Sequence, residues 1–487
     1  METKNKCRIL ILITMAIGLN AFQPVEAQTQ PKFRFRKDHT FRIAQFTDIH
    51  WNNNSPKCTL TAEIIRYVLA TEKPDLAILT GDIVTDLPEK EGWLAVTKIF
   101  IDAKMPFAVT LGNHDSEREI KRNYIFELLR TLPYFVGEKG TGMFGCGNYT
   151  IPVRESDGKG IAAVLYCLDS NDYPQDKRIG SYDWIKFDQV DWYRKTSDQF
   201  TAANGNMVVP SLMFFHIPLI EFNKVIGKPA TVGIKNEAVA SSDINSGMFA
   251  SLVEKRDVIG LFVGHDHDNN YIGVEHDIAL AYGQATGYDA YGKFERGSRI
   301  IELHEGEFTF DTWIRTKTGK SDKFEYRTGP KSRESIPAYM PATKISGLKP
   351  GVKFNYFEGS FASTADLTKA TILKTGTLKN ISLEPAVLKD SFAFEFKAWL
   401  KIPKKGVYGF YTYSDDGSKL YIDGNEVVNN DGPHDGKRAE GEIALDEGFH
   451  ELRLLYFEGD SSNELEVGFS SPSIRECKIP DWFLFTK

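Results

Sequence analysis

Between residues 41 and 313, short apolar runs alternate with helix-length amphipathic stretches. Runs 41–47, 76–80, 107–111, 161–168, 212–215 and 258–263 are rich in β-branched and aromatic residues and predict strands. Stretches 59–71, 91–103, 184–203 and 248–255 predict helices, and 117–129 reads as helix-like. Parallel strand pairs need a crossover long enough for a helix, so this alternation predicts a layered α/β domain with a substantially parallel sheet. Runs 277–282, 299–303 and 308–314 follow without intervening helices and are expected to close the domain with antiparallel strands.

The pattern changes at residue 316. Residues 316–350 hold Pro330, Pro337, Pro341 and Pro350, several Gly and Ser, and a surplus of Lys and Arg, and read as an extended, solvated linker. Residues 351–487 have no long helical period. They alternate at 392–400, 406–413, 419–422, 451–457 and 464–469, with turns at Asp415-Asp416-Gly417 and Asp423-Gly424, which predicts an all-β sandwich. The expected divisions are residues 40–315, the linker 316–350 and 351–487.

A length of 487 residues suits two such domains. The first 27 residues stand apart. Lys4, Lys6 and Arg8 precede an apolar stretch at 9–22, and Val25-Glu26-Ala27 offers small residues at a cleavage site. Residues 1–27 therefore read as a secretory signal peptide, too short in its apolar part to span a bilayer, and the mature chain is expected outside the cytoplasm, periplasmic or extracellular. Cys7 precedes the apolar stretch and cannot carry a lipoprotein's lipid. Losing Glu2, Lys4, Lys6, Arg8 and Glu26 takes the formal charge from −7 to −8, a balance that argues against nucleic acid as a partner. No transmembrane segment is expected in the mature chain. Its cysteines, Cys58, Cys146, Cys167 and Cys477, include no C-x-x-C pair, so neither a zinc ribbon nor a disulfide scaffold is indicated; one disulfide stays open.

Five stretches just past apolar runs carry the chemistry. They are Asp48-Ile49-His50, Gly81-Asp82, Gly112-Asn113-His114-Asp115, His216 and Gly264-His265-Asp266-His267. Singly each is commonplace, but five of the ten histidines fall here, at the strand ends where ligands collect in open α/β sheets. Imidazole, carboxylate and amide oxygen without thiolate suit manganese, iron, zinc or nickel, and a carboxylate can bridge two such ions. If extended, Asp48-x-His50 and His265-x-His267 would each point two ligands the same way. Asn113 could offer its carbonyl oxygen to a metal while His114 offers a proton to a substrate.

This ordered set resembles the calcineurin-like metallophosphoesterase family over residues 41–314, which implies a layered α/β/β/α sandwich ahead of the all-β sandwich. The resemblance implies that Asp48, His50, Asp82 and His267 hold one metal, and that Asp82 (bridging), Asn113, His216 and His265 hold the other. It implies that His114 is a general acid with Asp115 orienting its ring, and that a metal-bound hydroxide attacks phosphorus. Lys73-Pro74-Asp75-Leu76, the stretch 111–117, Gly147-Asn148-Tyr149, Leu168-Asp169-Ser170, Tyr182-Asp183-Trp184-Ile185 and Phe215-His216-Ile217-Pro218-Leu219 are similar to the short purple-acid-phosphatase-like proteins of plants and their fungal relatives. True purple acid phosphatases have Tyr three residues after the bridging Asp. Thr85 stands there in this chain, so no tyrosinate colour is expected. Trp51, Asp86, Glu117, Arg118, Tyr288 and Asp289 are candidates for substrate choice by position, while Asp169 and Arg299 read as structural.

Residues 413–424, Val427 to His434 and Tyr456-Phe457-Glu458 resemble the β-sandwich domain named after anthrax protective antigen. Some members bind glycans through calcium held by adjacent aspartates, here Asp415 and Asp416, although Asp-Asp-Gly is also an ordinary tight turn. The reading that unites the chain is an exported phosphohydrolase acting on phosphomonoesters with two manganese, iron or zinc ions. A phosphodiesterase is the alternative within that chemistry, and a glycan-binding or adhesion protein the alternative outside it.

Overall fold

The computed structural model describes residues 33–327, 339–460 and 462–487, all within one compact unit. The expected signal peptide lies outside the described residues. The first domain runs β1 (Thr40–Phe46), α1 (Lys57–Glu72), β2 (Leu76–Thr80), α2 (Glu89–Asp102), β3 (Phe107–Thr110), α3 (Arg122–Leu129), β4 (Tyr149–Arg154), β5 (Ile161–Cys167), α4 (Phe187–Ala203), β6 (Ser211–Phe214), α5 (Met248–Lys255), β7 (Val258–Val263), β8 (Ile272–Glu275), β9 (Ile278–Tyr282), β10 (Gly297–His304), β11 (Phe310–Thr316) and β12 (Lys320–Tyr326).

These strands make two six-stranded sheets, ordered β12-β11-β10-β1-β2-β3 and β4-β5-β6-β7-β9-β8. Side chains alternate across a strand, and the second sheet uses both faces. Leu165, Cys167, Leu212, Phe214 and Phe262 join the apolar layer between the sheets. Val164, Tyr166, Met213 and Leu261 face the other way and pack with Val190 and Tyr193 of α4 and Phe249 and Leu252 of α5. Phe262 meets Phe310 of the first sheet edge-on at 5.7 Å, and Phe46 of β1 meets Phe100 of α2 at 5.5 Å. Each such fully buried side chain contributes about 1.5–3 kcal/mol. The layers are therefore helix, sheet, sheet, helix. Strands β1-β2-β3 run parallel in one sheet and β5-β6-β7-β9 in the other, so each sheet gathers its parallel carboxyl ends at one edge.

Several expectations need correction. Of the three runs expected as antiparallel closing strands, 299–303 and 308–314 are the antiparallel β10 and β11, whereas 277–282, as β9, pairs parallel with β7 and antiparallel only with β8. The linker expected at 316–350 is narrower, because β12 pairs with β11 at the edge of the first sheet. Beyond it, Met340 and Thr343 bridge to Leu445 and Phe449 of the second domain, and Lys349–Pro350 is already a strand there. Helix α3 starts at Arg122 rather than Glu117, because Glu89 on α2 accepts the backbone N–H groups of Arg118 (3.2 Å), Glu119 (2.8 Å) and Ile120 (2.6 Å). Cys58, Cys146, Cys167 and Cys477 are all unpaired.

The second domain is an antiparallel sandwich of an eight-stranded and a four-stranded sheet. In Phe392–Ile402 alternate residues from Phe392 through Phe394, Phe396, Ala398 and Leu400 to Ile402 enter its core, as a two-residue period requires. The domains touch through Arg475, whose guanidinium donates to the carbonyl oxygens of Arg256 (3.1 Å) and Asp277 (2.8 Å), and through the Phe308 N–H on the Pro472 carbonyl oxygen (2.7 Å). No described helix is long and apolar enough to cross a membrane.

Candidate dinuclear metal centre

The loops after β1, β2, β3, β6 and β7 converge at the shared edge of the two sheets. Asp48, His50, Asp82 and His265 have φ of 51°, 44°, 52° and 80°. Asp and His tolerate this left-handed region better than β-branched residues do, and such backbone concentrates at functional sites. The extended geometry expected for Asp48-x-His50 and His265-x-His267 is therefore absent. The turns instead send His265 and His267 into different groups. Two glycines make room: a Cβ at Gly112 would lie 2.2 Å from Asp82 Oδ1, and one at Gly264 1.9 Å from Thr47 Oγ1.

Asp48, His50 and His267 bring one possible ligand atom each to within 4.8 Å of one another, and so do Asp82, His216 and His265. One oxygen lies between the groups: Asp82 Oδ2 is 3.1 Å from His216 Nε2 and 3.7 Å from His50 Nε2. Asp48 Oδ1 is 3.2 Å from His267 Nε2. The His216 Nδ1–H donates to the Thr80 carbonyl oxygen at 2.8 Å, which fixes the tautomer and turns Nε2 toward Asp82. His265 Nδ1 lies 3.3 Å from that same Nε2.

The donor set fits metal ions. His50 Nε2 and Asn113 Oδ1 are buried without a hydrogen-bond partner, a costly state that a cation relieves. Burial pulls His50 down to about 4 and His265 to about 3, so both imidazoles are neutral at pH 7 with a lone pair to give. For Asp48 burial acts upward, yet the neighbouring His267 outweighs it and holds the carboxyl at about 2.

Asn113 and His114 flank the two groups. The Asn113 amide nitrogen donates to the Tyr173 hydroxyl at 2.8 Å. Tyr173 stacks on Tyr182, and the Tyr182 ring meets His265 edge-on at 4.5 Å, which puts Asn113 on the His265 side. The His114 ring lies 5.6 Å from that of His50, and its backbone N–H donates to Asp82 Oδ1 at 2.9 Å. Burial opposes a proton on His114, but Asp82 and Glu117 outweigh it and raise its pKa above the ordinary value.

Asp115 does not orient His114. Its carboxylate is fully buried and accepts four backbone N–H groups: Asp82 (2.9 Å), Ile83 (2.7 Å), Val84 (3.1 Å) and Gly112 (2.8 Å). Its role is to clamp the loops after β2 and β3. The partner of the His114 ring is Glu117, whose Oε2 lies 2.7 Å from Nδ1. Asp169 pairs with Arg122 at 3.1 Å, and Arg299 is buried with its guanidinium on the carbonyl oxygens of Tyr282 and Asn270, so both are structural as read from sequence. Trp51 is buried against the core, and Asp86 accepts from the Asn52 amide at 2.9 Å. Tyr173, Tyr182 and Tyr291, which stacks on His267 at 3.9 Å, line the centre and lie outside the five strand-end stretches. The only pointers in the chain are the Tyr182-Asp183-Trp184 likeness and a Tyr173 close behind the Asp169 stretch.

In the second domain, Asp415 and Asp416 are joined by Glu458 within 4.8 Å, all three buried. Asp416 accepts the N–H groups of His434 and Gly459, each at 2.8 Å, and Glu458 accepts the Tyr456 hydroxyl at 2.8 Å while its Oε1 has no partner. Burial, then the Asp416 and Asp415 carboxylates, push Glu458 up to about 7.

Residues 41–269 match the family described as calcineurin-like phosphoesterase, and residues 348–482 the PA14 domain. A protein named probable inactive purple acid phosphatase 29, of Arabidopsis thaliana, is 31% identical over 350 residues, which are 65% of this chain and 90% of that one. Phosphatase DCR2 of Saccharomyces cerevisiae is 28% identical over 343 residues, 63% of this chain and 58% of that one. The crystal structure of a dimetal phosphatase from Danio rerio aligns with 59% of this chain and 99% of its own, at 12% identity and a TM-score of 0.42. The chain belongs to the calcineurin-like phosphoesterases, in the company of purple-acid-phosphatase-like proteins, and carries a PA14 domain of the anthrax protective antigen type behind its catalytic-type fold.

Proposed function

We propose that this protein is an exported, two-metal phosphohydrolase that cleaves phosphomonoesters. The observation that carries the reading is Asp82 Oδ2 between two groups of imidazole and carboxylate ligands, with His114 beside them. Asp48, His50, Asp82 and His267 would hold one ion, and Asp82, Asn113, His216 and His265 would hold the other. Manganese, iron or zinc ions bound there would polarise the ester and acidify a water. The chain supplies the rest. Asp115 and the left-handed turns fix the ligands in place, and His114 gives its proton to the leaving oxygen. Plant relatives bear the word inactive in their names; the two ligand groups, with Asn113 and His114 beside them, support activity in this chain.

The test is hydrolysis of p-nitrophenyl phosphate and bis-p-nitrophenyl phosphate by protein stripped with chelator and given back manganese, iron or zinc. Turnover that depends on metal and favours the monoester supports the proposal. Preference for the diester replaces it with a phosphodiesterase, and no turnover with any metal in folded protein rejects the enzyme reading. Export rests on residues 1–27 and is tested by the intact mass of protein recovered outside the cytoplasm, which should begin at Gln28.

One observation favours a second role. Asp415, Asp416 and Glu458 are three buried carboxylates converging on one point, a hard-oxygen set suited to calcium. On this reading the PA14 domain takes calcium there and binds a glycan beside it, anchoring the phosphohydrolase to a glycosylated surface. A glycan-array screen with and without calcium tests it; binding that ignores calcium rejects it.

A further inference from the structure

The phosphohydrolase reading leaves open how Asn113 and His114, neighbours on one turn, are aimed at two different tasks. An Asn amide can present oxygen or nitrogen, and an imidazole can present either nitrogen. Each needs a partner that excludes the wrong choice.

One pair of side chains supplies both partners. Glu117 Oε2 lies 2.7 Å from His114 Nδ1, and Glu117 Oε1 accepts the Tyr173 hydroxyl at 2.6 Å. With its proton committed to Glu117, the Tyr173 oxygen can only accept from Asn113, and it does so from the amide nitrogen at 2.8 Å. That contact leaves Asn113 Oδ1 as the inward atom, buried and without a hydrogen-bond partner. The Glu117 carboxylate likewise takes the Nδ1–H of His114 and leaves Nε2 for the leaving group.

The anchors of this pair are independent of the metal ligands. Glu89 accepts the N–H groups just after Glu117, at Arg118, Glu119 and Ile120. Arg122 joins the loop of Asn113 to that of Tyr173, donating to the Gly112 carbonyl oxygen at 2.8 Å and the Asn171 carbonyl oxygen at 3.1 Å. Lys177 lies over the Tyr173 ring at 4.8 Å.

We infer that Glu117 and Tyr173 are positioning residues that act as one clamp: Tyr173 turns the Asn113 carbonyl oxygen toward the second metal, and Glu117 turns His114 Nε2 toward the leaving oxygen. The inference rests on the phosphohydrolase reading for the second half only, because the first half concerns metal binding.

The variants are Glu117→Ala, Tyr173→Phe and the pair together, in the full chain, with melting temperature checked for each. Calorimetric titration of chelator-stripped protein with manganese reads the metal half. Tyr173→Phe should weaken one of two ions by about tenfold or more. Hydrolysis of p-nitrophenyl phosphate against an alkyl phosphate reads the acid half, since only the alkoxide needs the proton. Glu117→Ala should lose kcat about tenfold more on the alkyl ester. The double variant should fall short of the product of the single losses, because either change opens the same clamp. Wild-type manganese affinity in Tyr173→Phe, together with equal losses on both esters in Glu117→Ala, overturns the inference. Absence of turnover in the wild type would instead refute the phosphohydrolase reading, and the titration would still decide the metal half.

Discussion

Asp82 and Asp115 secure each other's loops. The Asp115 carboxylate accepts the Asp82 N–H at 2.9 Å, and the Asp82 carboxylate accepts the N–H of His114, next to Asp115, at 2.9 Å. The residue placed between the two ligand groups is thus held by the loop that carries Asn113 and His114, and Asp115 serves architecture first.

Asp115→Ala should therefore unfold easily. It leaves four buried N–H groups without their acceptor, and the expected loss is about 3–5 kcal/mol, the scale of breaking a buried charged partner. Chemical denaturation of chelator-stripped protein measures it. Unchanged stability with lost turnover would return Asp115 to the role of a His114 partner.

His114→Ala should keep both ions and lose turnover by about 10²–10⁴-fold, most on alkyl esters. Metal content by elemental analysis, paired with rates on aryl and alkyl phosphates, checks both halves. Full activity on alkyl phosphates would remove His114 from the reaction.

Metal binding should release a proton from His216. Burial acts against a charge on this imidazole, but the Asp82 carboxylate outweighs it and pushes the group up to about 9. A raised value means that the proton is present below about pH 9 in the metal-free protein, and the ion needs the lone pair it occupies. Calorimetry in buffers of different ionisation enthalpy should show release near neutral pH that fades above pH ~9. Release that stays constant through that range would contradict the assignment of His216.

Calcium should raise the melting temperature of the full chain, and Asp416→Ala should abolish the rise. Since Glu458 stands at about 7 without an ion, a proton competes below that value and affinity should climb as pH rises through it. A melting temperature indifferent to calcium at pH 8 would leave the three carboxylates without a ligand.

Strands β2 and β7 and helix α5 have the bounds read from sequence because each is a clear apolar or amphipathic run ended by a turn. The strands missed in the first domain are edge elements. Tyr149–Arg154 contains Pro152, which masks an edge strand, and Lys320–Tyr326 buries only Phe324 and Tyr326 among polar neighbours. The metal-ligand candidates were legible because strand ends repeat one chemistry in order. Asp115 misled because adjacency in sequence is not adjacency in space. His114–Ser116 is a 3-10 turn, in which residues three apart lie over one another, so Glu117 stands beside His114 while Asp115 turns inward. Glu458 lies more than forty residues from Asp416 and only cross-strand pairing joins them, so no local pattern could mark it as part of the cluster.

The measurement closest to the central claim is the manganese stoichiometry of chelator-stripped wild type and Asp82→Asn, read together with p-nitrophenyl phosphate turnover. The account predicts two ions per wild-type chain, with turnover returning as the second binds, and loss of both tight binding and turnover in Asp82→Asn. An Asp82→Asn chain that still holds two ions tightly, or a wild type that binds only one, would contradict it.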